Sequence, residues 1–183
     1  KVAIVTGAAQ GIGESIARRM GQEGANVIIL DMKVEKAKQV AEEITQYGVK
    51  SEGLYFNATD ISGIKPLFNS IKEKYGSIDI LVNNAGISQN ATILELTEEQ
   101  WDLVLDINLK SVFFCSQAAF AIMKNQNSGC IINMSSLAGQ RGGRTTGASY
   151  TASKSGVLGL TKTFALNGGP FNIRTNAICP GLI

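Results

Sequence analysis

The segment that decides the fold is residues 2–13, which read VAIVTGAAQGIG. Its first part, Val2–Thr6, is a continuous apolar run that predicts a buried strand, and the residues from Ile12 onwards have the spacing of an amphipathic helix. Between strand and helix the glycines follow the spacing GxxxGxG, at Gly7, Gly11 and Gly13. Glycine lets a backbone approach a pyrophosphate closely, and free amides at a helix start face its negative charge. The segment therefore predicts a nucleotide-binding turn, with an ordinary glycine-rich turn as the alternative.

Short apolar runs alternate with helix-length segments along the rest of the chain. Strands that read as continuous apolar runs are typical of a parallel sheet with helices on both faces. We therefore expect one doubly wound α/β domain over residues 1–183, with strand order 3-2-1-4-5-6 and a ligand crevice between strands 1 and 4. The predicted strands are Val2–Thr6, Asn26–Asp31, Lys50–Phe56, Ile78–Val82, Cys130–Met134 and Ile173–Ile178. The predicted helices are Ile12–Glu23, Val34–Tyr47, Gly63–Tyr75, a long region in two pieces at Glu98–Asp106 and Leu109–Lys124, and Ser149–Leu166.

The composition excludes several classes of function. Seventeen basic and fifteen acidic residues leave a formal charge of +2, which gives no reason to expect a nucleic acid or a membrane as partner. No run of 18 apolar residues occurs and the chain opens on a strand, so we expect neither a transmembrane helix nor a signal peptide. The three cysteines are far apart and without CxxC spacing, as in the reduced thiols of a cytoplasmic protein.

The chain has no histidine, so Ser-His-Asp and Cys-His catalysis are excluded and no metal site is predicted. Tyr150 and Lys154 are the best available acid/base pair, because positions i and i+4 share one face of the predicted helix. A nearby ammonium favours the ionised form of a phenol. An exposed helix pair is the alternative for YxxxK alone. Ser135 and Ser136 end the fifth predicted strand, where a hydroxyl can bind a substrate oxygen or cap a turn.

Two further features border the predicted nucleotide site. Asp31 ends the second strand, about 20 residues beyond the glycines, where a carboxylate can bind the adenosine ribose hydroxyls. The same charge repels the 2′-phosphate of NADP, so the sequence favours NAD, although Lys33 is near; a helix-capping aspartate is the alternative. Residues Asn83–Gly86 follow the fourth strand at the switch point and are predicted to border the cofactor. A polar loop with a glycine turn is their alternative.

Together these features resemble the short-chain dehydrogenase/reductase family over nearly the whole chain. The resemblance rests, in the family's order, on Thr6–Gly13, Asp31, Asn83–Gly86, Asn108, Ser136, Tyr150, Lys154 and Pro180-Gly181. It implies that Tyr150 is the general acid/base and that Lys154 binds the nicotinamide ribose. It also implies that Ser136 positions the substrate oxygen and that Asn108 holds a water in a proton relay. The implied cofactor contacts are Gly7, Gln10, Gly11, Ile12, Gly13, Asp31, Asn57, Ala58, Asn84, Ala85, Gly86, Tyr150, Lys154, Pro180, Gly181 and Ile183.

The resemblance also implies a reaction: hydride transfer between NAD(H) and a secondary alcohol or ketone, in a homo-oligomer, either a dimer or a tetramer. An NADPH-dependent 3-oxoacyl reductase would use the same residues, and a non-catalytic nucleotide-binding or scaffolding protein is the alternative from another class. Sugar, polyol, steroid and acyl thioester substrates all stay open. Family members usually continue into a substrate lid, another helix and a last strand, so we expect the stretch ending at Ile183 to be a C-terminally incomplete domain.

Overall fold

The computed structural model describes residues 1–89, 91–143 and 146–181. A six-stranded sheet with order β3-β2-β1-β4-β5-β6 forms its centre, and all neighbouring strands are parallel. The predicted fold class and strand order are therefore confirmed. The strands are β1 (Val2–Thr6), β2 (Asn26–Asp31), β3 (Ser51–Tyr55), β4 (Ile80–Asn83), β5 (Gly129–Met134) and β6 (Ile173–Ile178).

The helices connect these strands as crossovers. They are α1 (Gly11–Gln22), α2 (Val34–Thr45), α3 (Ile61–Tyr75), α4 (Glu98–Leu105), α5 (Ser111–Gln126), α6 (Leu137–Arg141) and α7 (Ala148–Gly168). Side-chain caps fix two of the starts: Asp60 accepts from the Gly63 amide before α3, and Thr97 forms a capping box with Gln100 before α4. Gly76, in a left-handed conformation, ends α3.

The helices differ from the sequence prediction in two respects. The region predicted as two pieces is one continuous helix, because a π-helical segment, Asp106–Lys110, joins α4 to α5. The short helix α6 was not predicted: it has five residues and begins where the Ser136 side chain accepts from the Ala138 amide. Neither feature is marked by a hydrophobic period in the sequence. The π-helical segment adds one residue to a helical turn, and α6 is little more than one turn long.

Apolar layers cover both faces of the sheet. On one face, Phe68, Leu81 and Ile131 belong to the core under α3 and α5; on the other, Val5 and Ile29 pack with residues of α1 and α2. All five residues of β1 are buried, which explains why this strand reads as an unbroken apolar run. Each such side chain contributes about 1.5–3 kcal/mol when fully removed from water. The carboxyl ends of the strands are thus held on a rigid support.

The continuous helix over Glu98–Gln126 is long and apolar enough, by length and composition, to cross a membrane. The sequence prediction of no transmembrane helix considered only unbroken apolar runs and so did not single out this helix. Cys115, Ala119 and Met123 on this helix are buried in the core against the sheet. Packing as an inner layer of an α/β domain accounts for its apolar composition.

Candidate active site

Two adjoining pockets lie at the carboxyl edge of the sheet. The first, about 460 Å³ and called here the nucleotide pocket, is lined by Gly7, Gln10, Gly11, Ile12, Leu30, Asp31, Met32, Lys33, Phe56, Asn57, Ala58, Asn84, Ala85, Gly86, Ile87 and Ile107. The second, about 390 Å³ and called the chemical pocket, is lined by Ile12, Asn84, Gly86, Ile87, Ser88, Met134, Ser135, Ser136, Tyr150, Lys154, Pro180 and Gly181. Ile12, Asn84, Gly86 and Ile87 line both. The two form one crevice at the β1/β4 switch point, where open α/β sheets bind ligands.

The glycine turn after β1 is shaped by backbone geometry. Gly7 and Gly11 both have φ of +63°, which side chains rarely allow. A Cβ at Gly7 would also lie 2.7 Å from the Ala85 Cα, so the two loops approach more closely than any larger residue permits. Gly13 was predicted to contact the cofactor. It lines neither pocket, and a Cβ there would collide with the Asn84 amide and the Gly7 carbonyl, so this glycine serves packing.

Asp31 is held in one orientation at the nucleotide pocket. One carboxylate oxygen accepts from the Ala9 amide at 3.0 Å and the other from the Lys33 amide at 2.9 Å. The Lys33 ammonium donates to Gln10 Oε1 at 2.9 Å and lines the same pocket. A fixed negative charge and a tethered positive charge therefore stand together where an adenosine ribose would lie.

The loop after β4 is tied to the glycine turn. Thr6 Oγ1 accepts from the backbone amides of Asn84 and Ala85, each at 3.0 Å. The Asn84 side chain donates to the carbonyls of Thr6 and Gly7 at 3.0 and 2.8 Å. These bonds hold the two halves of the crevice at a fixed separation. Asn57 and Ala58, after β3, complete the far wall of the nucleotide pocket.

Lys154 is the most strongly perturbed group in the chemical pocket. It is only 4% exposed, and burial lowers the pKa of its ammonium from 10.5 to about 8. Its Nζ donates to the Met134 carbonyl at 2.7 Å and lies 5.7 Å from the centroid of the Tyr150 ring. An ammonium has three hydrogens, so two remain to face the pocket and the tyrosine.

The structure separates the two serines that end β5. Ser135 is 4% exposed and its hydroxyl donates to the Lys154 carbonyl at 2.8 Å, so it is engaged in joining β5 to α7. Ser136 is half-buried and accepts from the Ala138 amide at 3.1 Å. Within the described part of the chain its own O–H donates to no partner. Ser136 thus caps α6 and still presents a donor to the chemical pocket.

Asn108 lies beneath the pockets rather than in their walls. It is fully buried in the π-helical segment, a type of turn often found at functional sites. Its Nδ2 donates to the Ile87 carbonyl at 2.8 Å and to Ser153 Oγ at 3.2 Å, and its Oδ1 accepts from the Ile87 amide at 2.8 Å. Both side-chain hydrogens are therefore used within the protein. A water could reach this side chain only through the remaining lone pair of Oδ1.

With this geometry established, comparisons with known proteins decide the family. The short chain dehydrogenase family matches residues 1–183. The chain belongs to the short-chain dehydrogenase/reductase family. A 3-oxoacyl-(acyl-carrier-protein) reductase FabG of Staphylococcus aureus is 44% identical over 100% of this chain and 74% of the relative. A 3alpha-hydroxysteroid dehydrogenase of Mediterraneibacter gnavus is 40% identical over 100% of this chain and 73% of the relative.

Solved structures agree with this assignment. A putative short-chain alcohol dehydrogenase from Sinorhizobium meliloti matches with a TM-score of 0.95 and 38% identity, covering 100% of this chain and 72% of that one. A NAD+-bound xylitol dehydrogenase matches with a TM-score of 0.95 and 34% identity, covering 99% and 70%. This short-chain dehydrogenase is therefore an oxidoreductase that uses a nicotinamide dinucleotide and acts on small-molecule substrates.

The residues present fit such a dinucleotide. The crevice offers a close backbone approach at Gly7, a fixed carboxylate at Asp31 and a buried ammonium at Lys154. Pro180 and Gly181 line the chemical pocket, whereas Ile183, predicted to contact the cofactor, lies outside the described residues. Across residues 1–89, 91–143 and 146–181, no group of three His, Cys, Asp or Glu side chains could hold a metal ion.

Sequence reasoning missed Ser153 and Ile87 as parts of this site. Ser153 is fully buried, and its hydroxyl donates to the Tyr150 carbonyl at 2.7 Å while accepting from Asn108. Ile87 supplies both backbone groups that hold the Asn108 amide. In the sequence, Ser153 is marked only by its place between Tyr150 and Lys154 in the predicted helix. Serine inside a helix gives no clear indication of such a role.

Proposed function

We propose that this protein transfers hydride between NAD(H) and a secondary alcohol or ketone, with Tyr150 as general acid/base. The observation that carries the proposal is that Tyr150, Lys154 and Ser136 line one pocket, which shares four lining residues with the pocket that Asp31 lines. When bound, the nicotinamide ring supplies the site that accepts or releases the hydride. The chain's own residues then hold the substrate oxygen and move its proton.

In the oxidation direction the Tyr150 phenolate takes the proton of the substrate hydroxyl. Ser136 donates a hydrogen bond to the same oxygen, using the O–H left available after it caps α6. Lys154 places its ammonium 5.7 Å from the centroid of the Tyr150 ring and offers its two remaining hydrogens to the nicotinamide ribose. General acid/base catalysis of this kind contributes about 10²- to 10⁴-fold to the rate. Asn108 supports the arrangement by joining Ile87 to Ser153, and a water on its Oδ1 would continue the proton path.

The preference for NAD over NADP is supported by Asp31. Its two oxygens are fixed by backbone amides, so the carboxylate cannot turn away from a 2′-phosphate. At 4 Å and an effective dielectric constant of about 20, two like unit charges repel by about 4 kcal/mol. Lys33, tethered to Gln10, offsets part of this repulsion. The similar xylitol dehydrogenase is described as NAD+-bound, which agrees with the same choice.

A 3-oxoacyl reductase that uses NADPH is the second candidate. It is favoured by the relatives at 44% identity, which are named 3-oxoacyl-(acyl-carrier-protein) reductases, and by the ammonium of Lys33 at the nucleotide pocket. Titrating the protein with NADH and with NADPH separates the two proposals, because the first requires NADH to bind at least tenfold more tightly. Reduction of an acetoacetyl thioester with each coenzyme then tests the substrate class.

The reaction itself is tested by a panel of secondary alcohols that includes sugars, polyols, steroids and 3-hydroxyacyl thioesters. We expect an increase in absorbance at 340 nm with NAD and at least one alcohol. Binding of NADH without hydride transfer to or from any alcohol or ketone would instead support the non-catalytic alternative.

We also propose that the protein forms a homo-oligomer in the cytoplasm. An apolar groove of about 590 Å³ runs between α5 and α7, with Leu109, Phe113 and Leu160 in its lining. Asp106 and Lys110 in the same lining form an ion pair with each other at 3.0 Å, so neither charge opposes the approach of the same face of a second copy about a twofold axis. Light scattering at several concentrations tests this: a monomer at all of them would contradict the proposal. The three cysteines are all free, which suits a reducing compartment.

A further inference from the structure

A chain of hydrogen-bonded, buried polar side chains runs across the neighbouring strands β4 and β5, next to the chemical pocket. Asn83 on β4 and Asn133 on β5 are register partners and are 3% and 0% exposed. Asn83 Nδ2 donates to Ser116 Oγ on α5 at 2.9 Å and to Asn133 Oδ1 at 2.8 Å. Asn133 Nδ2 donates in turn to Thr161 Oγ1 on α7 at 2.9 Å. We call these four residues the cross-sheet network; it joins α5, β4, β5 and α7.

Core filling does not explain these residue types. Ile131, two residues before Asn133 and on the same face of β5, belongs to the apolar core. Amide groups in such a place are costly unless they are hydrogen-bonded, and here they are paired with one another and with two helices. A paired buried network specifies one relative arrangement of the elements it joins, whereas apolar contacts allow them to slide.

The cross-sheet network constrains α7 through the bond between Thr161 and Asn133. Thr161 follows Lys154 by seven residues, close to two helical turns, so the two side chains share one face of the helix. Lys154 is bonded to the carbonyl of Met134 and Thr161 to the side chain of Asn133, which are neighbours on β5. Two anchors on one helix face fix both the rotation of α7 about its axis and its position along β5.

We propose that Asn133 and Thr161 are a positioning pair that sets the rotation of α7, and with it the places of the Lys154 ammonium and the Tyr150 hydroxyl in the chemical pocket. Neither residue lines the pocket, so both act through the helix. For its effect on turnover the inference rests on the proposed function. Its effect on coenzyme binding rests only on Lys154 facing the bound dinucleotide.

Three variants of α7 test this pair. Thr161→Val removes the hydroxyl and keeps the shape, and Thr161→Ser keeps the hydroxyl. Thr163→Val, compared at the same oligomeric state by light scattering because Thr163 lines the groove between α5 and α7, is the matched control. Thr163 is exposed on the same helix, and among the described residues its hydroxyl bonds only the Gly159 carbonyl, at 3.2 Å. Thr161 makes the same kind of bond within the helix, to the Val157 carbonyl at 2.7 Å, in addition to its bond with Asn133. The comparison therefore isolates the contact to the strand.

The readouts are the Kd of NADH, by fluorescence titration, and kcat with the best alcohol of the panel, both per folded molecule and well below the melting temperature. We expect Thr161→Val to weaken NADH binding about threefold and to lower kcat about tenfold, since a 1 Å misplacement can cost about 10²-fold. Thr161→Ser and Thr163→Val are expected to stay within twofold of wild type. If Thr161→Val does not fold, the pair Asn133→Leu with Thr161→Val removes both partners of this bond and carries the same expectation. The pair also removes the acceptor that Asn133 offers to Asn83, which keeps its bond to Ser116.

A Thr161→Val or paired variant with wild-type Kd and kcat, whatever its melting temperature, would overturn the positioning role and leave a purely structural one. Failure of the proposed function has a different signature. Wild-type protein would then turn over no alcohol or ketone, while the NADH comparison would still decide whether the pair positions Lys154.

Discussion

The contribution of one buried group, Lys154, to the free energy of unfolding should rise with pH between 8 and 10. Burial lowers the pKa of this ammonium in the folded protein from 10.5 to about 8. At Lys154 the unfolded chain therefore binds a proton that the folded protein has lost between these values, and the contribution of this group to stability increases with pH in that range. The difference between the unfolded and folded pKa values of Lys154 corresponds to roughly 3 kcal/mol of destabilisation of the folded protein. This destabilisation is present in full below pH 8 and is relieved above pH 10.5. Between pH 8 and 10 the expected gain is about 2 kcal/mol.

The assay compares wild type with Lys154→Met, because ionisable groups distant from Lys154 are common to both proteins and their titration cancels in the difference. Cys115 and Tyr75, whose pKa values burial raises to about 12, are two such groups. Urea unfolding at pH 7, 8, 9 and 10 gives the free energy of unfolding of each protein. We expect the wild type to gain about 2 kcal/mol relative to the variant from pH 8 to pH 10, with little relative change from pH 7 to pH 8. A difference that stays constant within about 0.5 kcal/mol over the whole range would refute the claim that the ammonium is desolvated.

Two other substitutions have clear expected outcomes. Asp31→Ala should lower the preference for NADH over NADPH at least tenfold, since it removes the charge that faces the 2′-phosphate. Titration with both coenzymes measures the ratio of their Kd values, and an unchanged ratio would place the discrimination elsewhere. Asn108→Leu should destabilise the protein by about 1–3 kcal/mol, because it leaves the partly buried backbone groups of Ile87 without the Asn108 side chain as partner. Urea unfolding checks this, with Asn69→Leu on the outside of α3 as control, and a loss below 1 kcal/mol would contradict it.

The strands were the most predictable part of the fold. Val2–Thr6, Asn26–Asp31 and Ile173–Ile178 were predicted with the bounds observed, because burial on both faces or strong β-branched composition marks them directly. The other strands and most helices differ by a few residues at their ends, where capping contacts decide. Residues 61 and 62 belong to α3 because Asp60 caps it, a contact that the apolar period does not contain.

Several of the predicted site residues lie together at one crevice, but the contacts among them could not be predicted from the sequence. Tyr150 and Lys154 share a helix face, and Asp31 ends a strand, so short-range rules place them at the crevice. The engagement of Asn108 with Ile87 and Ser153 depends on a π turn that brings three distant segments together. The same holds for the pairing of Asn133 with Thr161. Such long-range hydrogen bonds follow from the packed structure, and no periodicity in the sequence indicates them.

The central claim, that Tyr150 is the acid/base in hydride transfer, is tested most directly by Tyr150→Phe. Tyr47→Phe is the control, since the Tyr47 hydroxyl lies on the surface and accepts only from Gln22 among the described residues. We expect Tyr150→Phe to lower the rate of NADH formation from the best secondary alcohol by at least 10²-fold while NADH binds within threefold of wild type, and Tyr47→Phe to change neither. Turnover by Tyr150→Phe at the wild-type rate, with coenzyme binding intact, would contradict the account.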